Sequence, residues 1–214
     1  MSAISAMLSQ HEPWRQSALP PDQRCCDTNA STFGLNDHKS RTTAAKPRIV
    51  ENSIGETANF SNNRVLPIHC FHIGELAAAI PPRDAGGAPI DTPSQCDEVL
   101  YSDGREFILL AEIKVTDKNG AKIAQLKKTL DHLFAIPAAA GFIKTFASKK
   151  CCFFRKTPPS ALLPSRIITA ASAFASSPRR SGGNKISNRQ LTQNFEKSGF
   201  ELWSFSDGDV CTLT

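Results

Sequence analysis

Residues 95–115 read QCDEVLYSDGREFILLAEIKV. Two β-rich runs, 95–102 and 105–115, flank Asp103-Gly104, a dipeptide suited to the left-handed backbone of a two-residue hairpin turn. With Asp103 and Gly104 as the turn, Ser102 faces Arg105, Tyr101 faces Glu106, Val99 faces Ile108 and Asp97 faces Leu110. Opposed residues share a sheet face, and side chains along a strand repeat with period two. Asp97, Leu110, Glu112 and Lys114 therefore point to one side. Asp97 and Glu112 become diagonal neighbours, about 7–8 Å apart between backbones. A four-residue loop centred on the same dipeptide keeps this register, and an odd-length loop destroys it.

The flanking sequence extends the pattern to an α/β protein. NGAKIAQLKKTLDHLF (119–134) sets Ile123, Leu126, Leu130 and Leu133 on one helical stripe, which Pro137 is expected to end. AAAGFIKTFA (138–147) reads as a further strand, QLTQNFEKSGF (190–200) as a helix, and ELWSFSDGDVCTL (201–213) as a terminal strand or hairpin. Upstream, RVLPIHCFHI (64–73) is a strand whose Pro67 suggests an edge position or a bulge. RIVENSIGETANF (48–60) has apolar spacing suited to a short amphipathic helix, and PPRDAGGAPIDTPS (81–94) is a long loop. A short helix is expected near LLPSRIITAASAF (162–174). Residues 1–45 are polar and aperiodic, and read as a flexible N-terminal arm. Residues 46–214 form the domain, with a basic Ser/Pro-rich segment at 154–190.

The 214 residues suffice for one core, with 40% hydrophobic and 21% charged residues. No run of about 20 apolar residues is present, so no transmembrane helix is expected. MSAISAMLSQHEPW lacks the pattern of a secretory signal, and a cytoplasmic protein without membrane contact is the expectation. The seven cysteines are odd in number and show no CxxC spacing, which favours reduced thiols over a disulfide framework. Net charge is +5, and ten basic residues fall in 144–190 without a single Asp or Glu. That concentration suits a polyanion, with Lys149, Lys150, Arg155, Lys156, Arg179 and Arg180 as candidate phosphate contacts.

Two carboxylates on one face can share a hard cation. A magnesium ion held by them stabilises charge on a phosphate and activates a water, and a nearby lysine adds further charge stabilisation. Asp97, followed by Glu112-Ile113-Lys114 on the second hairpin strand, resembles the PD-(D/E)XK nuclease superfamily, also called restriction-endonuclease-like. The resemblance covers about residues 48–153, centred on 95–134. It implies a mixed central β-sheet flanked by helices, an Asp…Glu-x-Lys site, and a following helix that in some branches carries glutamine. Carried over residue by residue, Asp97 and Glu112 are metal ligands and the Ile113 carbonyl is a third. Lys114 is the catalytic lysine, and Gln125 is an auxiliary group that positions water or DNA. Mg²⁺ is the implied cofactor, with Mn²⁺ as a substitute, and DNA the implied substrate. Phage defence or mobile-element processing would suit such an enzyme. The sequence departs from the pattern in having Cys96 rather than Pro before Asp97. For an acidic residue on the first helix, Glu51 and Glu56 both stand as candidates, Glu56 following Gly55.

The alternative from another class is a catalytically inactive nuclease-fold subunit that binds nucleic acid, a protein partner or a second copy of the chain. Glu-x-Lys on a strand is also common as a plain ion pair. The run His69-Cys70-Phe71-His72 puts Cys70 and His72 on one face and His69 on the other. No second ligand pair stands at zinc spacing, so these read as core or cleft-lining residues. No P-loop, Ser-His-Asp set or Gly-rich dinucleotide motif occurs.

Overall fold

The computed structural model describes residues 25–36, 49–52, 58–73, 96–114, 121–155, 182–206 and 208–214. The strands are β1 (Cys25–Thr28), β2 (Thr32–Leu35), β3 (Ile49–Glu51), β4 (Ala58–Ser61), β5 (Ile68–His72), β6 (Glu98–Ser102), β7 (Phe107–Lys114), β8 (Ser148–Arg155), β9 (Asn184–Lys185), β10 (Glu201–Phe205) and β11 (Val210–Thr212). Three helices occur among the described residues: α1 (Ala121–Ala135), α2 (Pro137–Lys144) and α3 (Arg189–Glu196).

A seven-stranded mixed sheet runs β1-β5-β6-β7-β8-β10-β9. Strands β1, β5, β6 and β7 are successively antiparallel. The chain then crosses through α1 and α2 to return as β8, parallel to β7. β10 adds parallel to β8, and β9 closes the row antiparallel. Val99, Tyr101, Ile108 and Leu110 pack with Leu126, Leu130, Phe142 and Phe195, so all three helices cover one face. Leu100, Leu109, Ala111 and Ile113 face the opposite way, onto a second, four-stranded mixed sheet of order β11-β4-β2-β3. With both faces covered, β7 is apolar over most of its length, as FILLAEIK shows. Stacked Phe33–Phe60 and Phe154–Phe205 pairs, joined by a tilted Phe60–Phe154 contact at 5.2 Å, knit the two sheets together. No described helix is long and apolar enough to cross a membrane.

The class is therefore α/β with a mixed central sheet, but the described helices flank only one side of it. Several local expectations need correction. β1 and β2 lie within the segment read as a flexible arm; Phe33 and Leu35 fill the second core, and a four-residue strand is too short to register as alternation. The described parts of the segment read as a helix, 49–52 and 58–60, contribute β3 and β4 instead, and both strands pair with β2. AAAGFIK is the helix α2, not a strand: Pro137 occupies its first turn, where a missing N–H costs nothing, so it starts a second helix after α1. The strand β8 that follows it, Ser148–Arg155, was not expected from the sequence. Pro67 precedes β5 instead of interrupting it, and β5 lies inside the sheet between β1 and β6. β10 and β11 belong to different sheets and form no hairpin together. The loop at 81–94 and the short helix near 162–174 lie outside the described residues.

The hairpin itself is present, with a shifted register. Tyr101 pairs with Ile108, Val99 with Leu110 and Glu98 with Ala111. The connection is the four residues 103–106, one pair further along than a turn centred on Asp103-Gly104. Arg105 takes the left-handed conformation, φ 64°. Its guanidinium lies 4.3 Å from the Phe142 ring centroid and donates to the Thr145 hydroxyl at 2.5 Å, so α2 holds the turn open by one pair. Because the shift moves the pairing by whole pairs, every residue keeps its face.

Candidate active site

The shift turns Asp97 from a diagonal to a lateral neighbour of Glu112. Continuing the ladder one step beyond Glu98–Ala111 sets Asp97 opposite Glu112. The hydrogen bonds show how tightly. The Asp97 N–H donates to the Ala111 carbonyl at 3.0 Å, and the Ile113 N–H donates to Asp97 Oδ2 at 2.7 Å. Asp97 thus grips the backbone on both sides of Glu112. Its own carbonyl accepts from Ile73 N–H at 3.1 Å, which ties this corner to the end of β5.

Glu112 is fully buried, with 0% exposure, and Asp97 is half-buried. By alternation Glu112 lies on the face of Leu110, beneath the helices. α1 answers with a polar stripe. Thr129 is fully buried; its hydroxyl accepts from the Cys96 N–H at 2.8 Å and donates to the Gln125 carbonyl at 2.9 Å. Gln125, one turn earlier, is also buried. Burial pushes the Cys96 thiol well up; the Thr129 hydroxyl opposes this, and the Glu112 and Asp97 carboxylates beside it push the same way as burial. Cys96 is a neutral spacer between helix and acids.

Of the expected site, then, Asp97, Glu112 and the Ile113 backbone meet at one strand end under the helix that carries Gln125. Lys114 closes β7 in register with Arg155 of β8, and the side chains of both lie outside the described residues. Glu56, Lys156, Arg179 and Arg180 also lie outside them. Glu51 hydrogen-bonds the Thr28 hydroxyl at 2.5 Å, at the edge where the two sheets meet, and plays no part in the acidic corner. Lys149 and Lys150 are in register with Ile108 and Leu109, three to four residues from Glu112, which is about 10–13 Å along the strand. Lys149 Nζ donates to the Phe146 carbonyl, while Lys150 Nζ donates to the Thr212 carbonyl and lies 5.6 Å from the Trp203 ring centroid. These two lysines serve the far end of the sheet rather than the acidic corner.

Among the described residues, no three His, Cys, Asp or Glu side chains are grouped to hold a metal. The corner supplies two carboxylates, a hard oxygen set suited to Mg²⁺, which keeps several waters and takes few protein ligands. A soft, fully caged site is not what this donor set offers. Cys70 and His72 share a face as expected, and both turn to the buried Glu98. The Cys70 thiol donates to Oε2 at 3.3 Å, and His72 Nδ1 lies 2.8 Å from Oε1. Glu98 is adjacent to Asp97 but on the other side of the sheet. Thr129, one turn beyond Gln125 on α1, is a member of the corner that the sequence reading left without a role. No protein-family model, curated protein or solved structure matches this chain.

Proposed function

We propose that the protein is a Mg²⁺-dependent nuclease that hydrolyses phosphodiester bonds in DNA. The observation that carries this reading is the grip of Asp97 on the backbone either side of Glu112, which holds two carboxylates side by side at a strand end. Two carboxylates on neighbouring strands are a hard oxygen set of the kind that Mg²⁺ takes. The antiparallel run β5–β6–β7 followed by parallel β8 across α1 and α2 also suits the mixed sheet of the PD-(D/E)XK superfamily. The four-stranded sheet on the second face is a departure from the helix-flanked arrangement.

Bound at this corner, Mg²⁺ would supply charge neutralisation at the phosphate and an acidified water. Asp97 and Glu112 would hold it, Asp97 through the carboxylate that Glu112's neighbour Ile113 already orients. Lys114, carried by the same strand, would stabilise charge on the phosphate oxygens. Gln125 would orient water or the DNA backbone from the helix. The test is cleavage of supercoiled, linear and single-stranded DNA in Mg²⁺, Mn²⁺ or EDTA. Asp97→Ala and Lys114→Ala should each lower cleavage about a hundredfold or more. Undiminished cleavage by both variants sinks the assignment. DNA binding without metal-dependent cleavage points to the inactive nuclease-fold subunit instead.

A further inference from the structure

Asp97 sits one residue outside the regular β6 ladder, so the ladder does not by itself fix where its carboxylate points. The residue before it is fixed by a helix. The Cys96 N–H is buried and donates to Thr129 Oγ1 at 2.8 Å, and the same hydroxyl donates to the Gln125 carbonyl at 2.9 Å. Thr129 has 0% exposure, so water cannot take over either bond. Beside the Asp97 backbone bonds to Ala111 and Ile73, one side chain therefore ties the Cys96–Asp97 corner to α1, from which Asp97 Oδ2 reaches the Ile113 amide at 2.7 Å.

We infer that Thr129 is the positioning residue of the acidic corner: its hydroxyl couples α1 to Cys96 and so holds Asp97 beside Glu112. A threonine in mid-helix has a bland use for its hydroxyl, the bond to the carbonyl four residues back. The second bond, to an amide on another element, is what the helix does not need. Valine preserves the volume and removes both bonds; serine preserves both bonds. The role in metal binding rests on the nuclease reading above, whereas the hold on Asp97 does not.

Two readouts on the full chain separate these. Manganese binding, followed by the EPR signal of free Mn²⁺, reports the corner as a metal site. Exchange protection of the Ile113 amide reports whether Asp97 still caps it. Wild-type protein is expected to bind Mn²⁺, and Asp97→Ala to abolish that binding. Thr129→Val, at a temperature where circular dichroism shows it folded, should weaken Mn²⁺ binding about tenfold or more. It should also lower Ile113 amide protection about tenfold relative to Leu110. Thr129→Ser should restore both. If Thr129→Val leaves the affinity and the Ile113 protection at wild-type values, the inference is overturned, whatever happens to the melting temperature. If wild-type protein binds no Mn²⁺, the nuclease reading falls, and Ile113 protection alone then decides whether Thr129 holds Asp97.

Discussion

His69 offers a direct test of the electrostatics at the closed end of the hairpin. Its Nδ1 lies 2.7 Å from Asp27 Oδ1 on β1, and its Nε2 lies 2.5 Å from Asp103 Oδ1 in the β6–β7 turn. Tyr101 of β6 packs on the ring at 5.0 Å; of the other charges in that turn, Arg105 points away onto Phe142 and Glu106 accepts from the Ser102 hydroxyl at 2.7 Å. Only a protonated imidazole donates through both nitrogens. Burial works against the charge, but the two carboxylates outweigh it and raise the pKa above 6.5. The sign follows. Stability from this clasp is fully present below about pH 6.5 and is lost as pH rises through the higher folded-state value. The ring is 18% exposed, while the two carboxylates are 69% and 64% exposed, so solvent screening cuts the gain. About 1 kcal/mol for the pair of contacts is expected, equivalent to about 2–4 °C in Tm for a chain of this length. Urea midpoints of wild type and His69→Gln, measured from pH 5.5 to 9, should differ most at the acidic end and converge at the alkaline end. High salt should narrow the gap. A difference that stays constant, or grows with pH, refutes the charged clasp.

Gly183 has φ +66°, and the Phe205 ring occupies the space a Cβ would need, so Gly183→Ala should disturb the Phe205–Phe154 stack and cost about 2 kcal/mol or more, read as a lowered urea midpoint. Asn188 caps α3 by accepting from the Gln190 N–H at 3.0 Å; Asn188→Ala should cost about 1 kcal/mol by the same measurement. Of the six cysteines with described side chains, Cys26 alone is half-exposed, and burial pushes the Cys151 and Cys152 thiols well up. Brief iodoacetamide treatment followed by peptide mass spectrometry should find Cys26 alkylated and Cys151 and Cys152 untouched until urea unfolds the chain.

The parts of this fold that were legible are those whose local signals agree with each other. β6 and β7 carry β-branched and aromatic runs around a turn dipeptide, and α1 and α3 carry stripes at helical spacing. The face shared by Asp97 and Glu112 was legible because parity survives a shift by whole pairs. What stayed hidden depends on distant partners. Arg105 adopts φ 64° where the rings of Phe142 and Phe146 receive it, and nothing adjacent in sequence announces that. AAAGFIK has no periodicity that separates a buried strand from a buried helix, and the choice falls to Pro137. β2 and β3 become strands only because β4 and β11 supply the rest of their sheet. Thr129 acts at the corner through a backbone amide, which leaves no mark on residue type.

The second sheet also has a bearing on the order in which the molecule can assemble. β11 pairs with β4, with Cys211 opposite Phe60, across nearly the whole described chain. The hairpin β6–β7 and the crossover to β8 close short loops and can form early; the β4–β11 ladder has to wait for a very long one. Until then, the face of the central sheet that carries Leu100, Leu109 and Phe154 has no lid, and its exposed apolar surface is open to association with other chains. Slow, concentration-sensitive refolding is the kinetic signature of a sheet whose cover is stitched from both ends of the sequence.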